Sequence, residues 1–175
     1  AIILVGPGEI SDNEINQIQR FSAKRNMGIF ACGSFPKSGL WKIDGILTTN
    51  ESIDKNSVHF ERACSTFEFI STFKKADNVG RNISVPVDFN ENSYDLNEDK
   101  FSLPSSKSIV FALAVLKFLN VKEVILCGFD GYHSYDTRSS EIINAIRLLD
   151  LPYSLSSITP TLHPFPRKSV YSSYD

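Results

Sequence analysis

Residues 106–132, SKSIVFALAVLKFLNVKEVILCGFDGY, decide the fold class of this 175-residue chain. Residues 109–119 are almost wholly apolar, which predicts a helix that is buried on most of its circumference. Apolar, mostly β-branched residues dominate the stretch 121–126, and this pattern is typical of a strand buried on both faces of a parallel sheet. Ligands of such sheets bind beyond the carboxyl ends of the strands. We therefore expect residues 128–132 to border a binding site.

Strand and helix patterns alternate on both sides of this stretch. Residues 2–5 predict a first strand, and Ser11 with Glu14 forms a capping box that opens a helix. Further strands are expected over 29–32, 43–49 and 153–158, and the last helix is expected to begin at Ser139 or Ser140. The predicted fold class is α/β, a three-layer Rossmann-like architecture with a mostly parallel sheet and helices on both faces.

The middle of the chain gives weaker signals. Residues 58–63 predict a short strand, and a second capping box at Ser65 and Glu68 predicts a helix that contains Phe69 and Ile70. Residues 83–89 alternate like a strand, but Pro86 restricts them to an edge position or an irregular segment. Residues 90–103 are polar and acidic, and we expect a long loop, either a lid or a solvated connection.

Length and composition limit the classes of protein to which the chain can belong. A length of 175 residues suits one domain, predicted over 1–162, with a C-terminal tail over 163–175. A net charge of -2 without a dense Lys/Arg cluster argues against nucleic-acid binding. No signal peptide or membrane-spanning run is visible, so we expect a cytoplasmic protein without a membrane span. A strand that begins directly after Ala1 indicates a C-terminal piece of a longer protein.

The three cysteines predict neither a disulfide framework nor a metal site. Cys32 and Cys127 lie in apolar strand patterns, where buried free thiols are expected, and no pair that includes Cys64 has metal-site spacing. We therefore predict no metal and no tightly bound cofactor.

Four polar segments are predicted to meet at one edge of the sheet: Gly6-Pro7-Gly8, Thr48-Thr49-Asn50, Asp130-Gly131-Tyr132 and Thr159-Pro160-Thr161. The glycine turn, residues 6–8, either presents backbone N–H groups to a phosphate or is only a tight turn. The segment 48–50 either binds hydroxyls and base edges of a ligand or caps the following helix. Their convergence predicts a pocket, with these candidate ligand-binding residues: Gly6, Gly8, Asn50, Ser108, Gly128, Asp130, Thr159 and Thr161.

Two resemblances follow from these motifs. The order of VGPG at 5–8, KEVILCGFDGY at 122–132 and TPT at 159–161 resembles the C-terminal domain of bacterial 4-hydroxy-2-oxovalerate aldolase or HMG-CoA lyase-like proteins of polysaccharide clusters. That resemblance implies an N-terminal aldolase-type barrel, with its own metal and lyase chemistry, as a possible partner domain. It also leaves a homo-oligomer open.

The same order is distantly similar to bacterial CMP-sialic-acid-dependent sialyltransferases. Gly6 and Gly8 match the first turn of that family, Ser108 matches a serine at a helix start, and the motif after the strand is matched by three residues: Gly128, Asp130 and Tyr132. The resemblance implies CMP or a nucleotide-sugar as ligand. Pro7 and Gly33 stand where that family has asparagines, and the chain has no room for the lid that carries its histidine.

If the domain is active, glycosyl transfer requires a base near neutral pKa and groups that stabilise the leaving phosphate. His133 is the candidate base, unless it is only a histidine of a surface turn, and Tyr132 with Tyr135 would bind the phosphate. The sequence thus supports three hypotheses. The first is a nucleotide- or nucleotide-sugar-binding domain attached to an aldolase-type enzyme of surface-polysaccharide synthesis. The second is a sialyltransferase-like glycosyltransferase, and the third is a non-catalytic docking or oligomerisation module.

Overall fold

The computed structural model describes residues 1–34, 36–49, 68–71, 82–91, 94–98, 100–131 and 136–170. The helices in these ranges are α1 (Asp12–Arg25), α2 (Ser108–Phe118) and α3 (Thr137–Leu148). The strands are β1 (Ile2–Val5), β2 (Gly28–Cys32), β3 (Gly45–Thr48), β4 (Glu68–Ser71), β5 (Asn82–Ser84), β6 (Val87–Phe89), β7 (Asp95–Leu96), β8 (Phe101–Leu103), β9 (Glu123–Cys127) and β10 (Ser154–Ser157).

Seven strands form one parallel sheet in the order β10-β9-β1-β2-β3-β4-β5. The chain proceeds outward from β1 to β5 on one side, then returns to place β9 on the other side of β1. Strand order therefore reverses between β1 and β9, which is the topological switch point of a doubly wound sheet. The predicted α/β fold class is confirmed.

Helices cover both faces of the sheet. Ile3 and Val5 of β1 face α1 and pack in one cluster with Ile18, whereas Leu4 faces the opposite layer. On that layer α2 buries every residue from 109 to 116, because the sheet covers one side of it and α3 with β8 covers the other. This packing explains the nearly continuous apolar run that predicted α2.

Local signals set the bounds of the helices. The predicted capping box of α1 is confirmed, and α1 ends at Asn26, which takes a left-handed conformation with φ 51°. The start of α3 was placed wrongly at Ser139 or Ser140. Asp136 is its N-cap, since the Asp136 carboxylate accepts a hydrogen bond of 2.9 Å from the N–H of Arg138.

The predicted helix at Glu68 is wrong, because residues 68–71 form strand β4. Phe69 and Ile70 pair with Ile46 and Leu47 of β3, and β5 pairs on the other side. A strand with two neighbours satisfies its backbone groups in both ladders, and this tertiary pairing overrides the local capping signal. Ser65 and the strand predicted over 58–63 lie outside the described residues.

Pro86 divides the stretch that was expected to form one strand. Strand β5 joins the large sheet, and β6 joins a separate three-stranded sheet in the order β6-β8-β7. The prediction of a loop over 90–103 was therefore wrong in part. Phe101 and Leu103 alternate inward from β8 and are buried beside α2, which gives this polar segment an apolar anchor.

The segment after β10 packs along the edge of that strand. The N–H of Ser157 donates to the Pro166 carbonyl at 2.8 Å, and the N–H of Lys168 donates to the Ser157 carbonyl at 2.8 Å. The Lys168 ammonium also lies 2.5 Å from the Glu123 carboxylate of β9. The described part of the predicted tail, residues 163–170, thus covers an edge of the sheet.

The glycine turn and the turn after β9 are in direct backbone contact across the switch point. The N–H of Gly6 donates to the Cys127 carbonyl and the N–H of Gly8 to the Gly128 carbonyl, both at 2.8 Å. A Cβ atom on Gly6 or on Gly8 would lie 2.6 Å from the Gly128 carbonyl oxygen. Gly128 itself has φ +68°, a left-handed conformation that favours glycine. Both turns therefore require glycine for close approach.

We predict that Gly8→Ala lowers the free energy of unfolding by about 2 kcal/mol, because backbone atoms must move to admit the methyl group. Gly28→Ala is the matched control: a Cβ there would meet the Phe30 ring at 3.1 Å, a side chain that can shift. The control should stay within about 1 kcal/mol of wild type. Urea unfolding measures both, and equal losses would contradict the contact.

Candidate functional site

A pocket of about 400 Å³ lies at the carboxyl ends of β1, β2 and β9. It is called the switch-point pocket here, and its wall has five parts: Pro7 and Gly8 after β1, residues 32–34 after β2, residues 107–109 at the start of α2, residues 128–131 after β9, and the side chains of Ile142 and His163. The position agrees with the expectation that ligands bind where strand order reverses.

Four of the predicted binding residues lie together in this wall, namely Gly8, Ser108, Gly128 and Asp130. Gly6 lies outside the wall and packs against the turn that carries Gly128. Four other predicted residues lie outside the described part of the chain: Asn50, Tyr132, His133 and Tyr135.

The two predicted threonines, Thr159 and Thr161, stabilise segments of the pocket wall through hydrogen bonds. The buried Thr159 hydroxyl oxygen accepts a hydrogen bond of 2.8 Å from the N–H of Gly128. The Thr161 hydroxyl oxygen accepts one of 3.1 Å from the N–H of His163. Thr159 therefore stabilises the turn after β9, and Thr161 stabilises the segment that carries His163.

Ser108 links the start of α2 to the end of β3. Its hydroxyl accepts a hydrogen bond of 3.2 Å from the N–H of Thr49 and lies 2.9 Å from the Thr49 hydroxyl. The Thr49 hydroxyl proton is donated to the Ser106 carbonyl at 2.8 Å, so the Ser108 hydroxyl is the donor to Thr49. The Ser108 side chain is therefore engaged within the protein, and the Thr49 hydroxyl joins two elements.

The N-terminus of α2 opens into the pocket without a side-chain cap. Its N-cap residue, Lys107, makes no side-chain hydrogen bond to the helix, and the first turn contains no acidic residue. Within the described residues, the N–H groups of Ser108 and Ile109 form no hydrogen bond. Free N–H groups and the helix dipole make such an end attractive to an anion.

The N-terminus of α1 is different, because the protein supplies its own anion there. The Glu14 carboxylate accepts hydrogen bonds from the Ser11 N–H at 3.0 Å and from the Ser11 hydroxyl at 2.6 Å. These bonds lower the pKa of Glu14 below its ordinary value. In the glycine turn, the N–H groups of Gly6 and Gly8 are already donated to carbonyls, and Pro7 has none. The glycine turn therefore packs against the turn after β9.

His163 is one of the pocket-wall residues that the sequence did not predict as a site residue, as are Lys107 and Ile109. It was assigned to the tail, yet it is only 7% exposed and its ring packs beside Gly131 and Phe165. The N–H of Leu162 donates to the Asp130 carbonyl at 2.7 Å and holds this segment over the pocket. Burial lowers the pKa of His163, so its imidazole is neutral at pH 7. No periodicity or motif marks the position in the sequence.

The charged and thiol groups of the wall complete the chemistry. Asp130 is exposed, and its two carboxylate oxygens lie 2.6 and 2.7 Å from the position that a Gly8 Cβ would take. Cys32 and Cys127 are buried free thiols as predicted, and burial raises the pKa of both thiols. In the ranges that the structure describes, no group of three or more His, Cys, Asp or Glu residues could hold a metal ion.

No model of a known protein family, no curated protein and no solved structure matches this chain. The two resemblances drawn from short motifs therefore stay predictions. Of the helices described, none has the length and the apolar character that a bilayer crossing requires.

We predict that His163→Gln reduces the loss of stability on mild acidification. The pKa of His163 in the folded protein lies below the ordinary value of 6.5, so the unfolded chain binds the proton first as pH falls. The folded state is therefore destabilised progressively below about pH 7. Urea unfolding at pH 5.5 and 7.5 should give a smaller difference in the free energy of unfolding for the variant. An equal difference in both proteins would contradict the burial of a neutral imidazole.

Proposed function

We propose that this domain binds a nucleotide or a nucleotide-sugar in the switch-point pocket. The observation that carries the proposal is one cavity, at the switch point of a doubly wound sheet, into which both the uncapped N-terminus of α2 and the Asp130 carboxylate open. Nucleotides in such sheets bind at this position. Attachment to an aldolase-type enzyme of polysaccharide synthesis rests on the motif resemblance alone.

The composition of the wall supports a ligand with apolar and polar parts. Ile109, Phe129 and Ile142 are apolar residues of the wall, and a base or the carbon face of a sugar can pack on such a wall. The Asp130 carboxylate suits the hydroxyl groups of a ribose or another sugar. A volume of about 400 Å³ falls within the usual range of small-molecule pockets.

Calorimetric titration with CMP, UMP and GMP tests this proposal. We expect one nucleotide to bind selectively, with a dissociation constant below about 1 mM, and we expect Asp130→Asn to weaken it about tenfold because the neutral amide is a poorer acceptor. Lys122→Ala, a change on the loop that precedes β9, is the control and should bind as wild type does. If none of the three nucleotides binds, the proposal is contradicted and the docking-module hypothesis is favoured.

A second candidate function is glycosyl transfer from a bound nucleotide-sugar, and His163 is the observation that favours it. A neutral, buried imidazole in the pocket wall can accept the proton of an acceptor hydroxyl, which is the role predicted for His133. Release of CMP from a CMP-sugar is the assay. Release that is lost in His163→Gln, while CMP still binds, would support transfer; no release with any activated sugar would exclude it.

A further inference from the structure

Building on the proposed nucleotide binding, we propose that the phosphate of the ligand binds at the N-terminus of α2, to the N–H groups of Ser108 and Ile109 and the ammonium group of Lys107. Doubly wound sheets that bind nucleotides commonly hold phosphate at the glycine turn after the first strand. In this protein the corresponding donors are already used, and the pocket offers others.

The glycine turn, residues 6–8, has no free N–H group that could bind a phosphate. Its two glycine N–H groups point to the carbonyls of Cys127 and Gly128, with donor–acceptor distances of 2.8 Å. The helix that follows carries the Glu14 carboxylate on its first turn, hydrogen-bonded to the Ser11 backbone. An incoming phosphate would have to break backbone contacts and approach an existing negative charge.

The start of α2 has the opposite character. Ser108 and Ile109 line the pocket, their N–H groups form no hydrogen bond in the described structure, and no acidic residue stands in the first turn. The neighbouring side chain is a lysine that lines the same pocket. The Glu141 carboxylate accepts a hydrogen bond of 2.9 Å from the Ser105 hydroxyl, two residues before Lys107, and is not part of the wall. The helix dipole, two free donors and one cation therefore act together on an anion.

His163 is an independent indication that this pocket takes a polar ligand. It is more than nine-tenths buried and lines the same wall, and neither ring nitrogen is hydrogen-bonded to a described residue. Its ring nitrogens are not among the fully buried side-chain atoms that lack a partner, so a molecule in the pocket can reach them. A neutral imidazole offers one donor and one acceptor to the bound molecule.

The positive end of α2 and the Asp130 carboxylate lie on neighbouring parts of the pocket wall. Ser108 lies against Gly33, at the end of β2, whereas the Asp130 carboxylate lies against Gly8, after β1. Strands β1 and β2 are neighbours in the sheet, so the two groups stand one strand spacing apart, about 5 Å. A phosphate at α2 thus lies beside the Asp130 carboxylate, and Lys107 with the helix dipole supplies the positive charge that offsets it.

A pair of variants at Ser108 isolates the backbone N–H from the side chain. Proline is well tolerated at the first helical position, and Lys107 before it has φ -67° and ψ 133°, the extended conformation that a following proline requires. Ser108→Pro removes both the N–H and the hydroxyl, and Ser108→Ala removes only the hydroxyl. We expect CMP to bind Ser108→Pro about tenfold more weakly than Ser108→Ala, the effect of one charge-assisted hydrogen bond.

Lys107→Ala gives a second test that does not alter the backbone. This variant should also bind CMP about tenfold more weakly than wild type does. Cytidine, which lacks the phosphate, should bind Ser108→Pro and Ser108→Ala alike. Asp12→Pro is the matched control at the first position of α1, where Ser11 has φ -67° and ψ 151°. This control removes a negative charge and the hydrogen bond that the Asp12 carboxylate accepts from the Ser38 hydroxyl. Asp12→Ala removes the same carboxylate but keeps the N–H, so a CMP affinity lower in Asp12→Pro than in Asp12→Ala would come from a phosphate at α1.

The outcomes separate the two proposals. If CMP binds but Ser108→Pro matches Ser108→Ala and Lys107→Ala matches wild type, the phosphate subsite is wrong and nucleotide binding stands. A CMP affinity lower in Asp12→Pro than in Asp12→Ala would place the phosphate at the glycine turn and overturn the subsite. If no nucleotide binds, inorganic phosphate is titrated: binding that depends on Lys107 supports an anion site at α2, and no phosphate binding overturns both proposals.

Discussion

Backbone contact between two turns, one after β1 and one after β9, is the constraint on which the pocket depends. The N–H groups of Gly6 and Gly8 are donated to the carbonyls of Cys127 and Gly128. The two turns are so close that a Cβ atom on either glycine would lie 2.6 Å from the Gly128 carbonyl oxygen. These bonds continue the pairing of β1 with β9 beyond the last strand residues. They fix where the chain turns toward Asp130, and so they set one side of the switch-point pocket. Thr159 supports the same turn from beneath.

That contact has a chemical consequence for ligand binding. A turn whose amides are used in packing has none to present to a phosphate, and the capping box of α1 adds a carboxylate beside it. Among the described residues, unsatisfied donors at this edge of the sheet include those of α2, next to Lys107. The pocket joins this positive end to the Asp130 carboxylate and to a buried imidazole. Each of these groups comes from a different segment of the chain, so the site exists only after the sheet has formed.

Sequence patterns predicted the parts of this structure that are set by local periodicity and burial. The apolar run of α2 indicated a helix covered on all sides, and Ser11 with Glu14 indicated the start of α1. At Glu68 the same kind of capping signal failed, since pairing with β3 and β5 prevailed over it. The position of His163 in the pocket wall could not be predicted, because no pattern in the flanking sequence indicates that the chain returns to pack on Gly131. Likewise, a GxG pattern does not show whether its amides are free, since their partners lie more than 100 residues away.

Amide chemical shifts of the ¹⁵N-labelled domain during a CMP titration test the central claim most directly. We expect the largest changes at the N–H groups of Ser108 and Ile109, since phosphate oxygens would replace water as their acceptors. The N–H groups of Gly6 and Gly8 should change little, because their hydrogen bonds to Cys127 and Gly128 persist. Large changes at Gly6 and Gly8, with none at Ser108 and Ile109, would contradict the account and place the phosphate at the glycine turn.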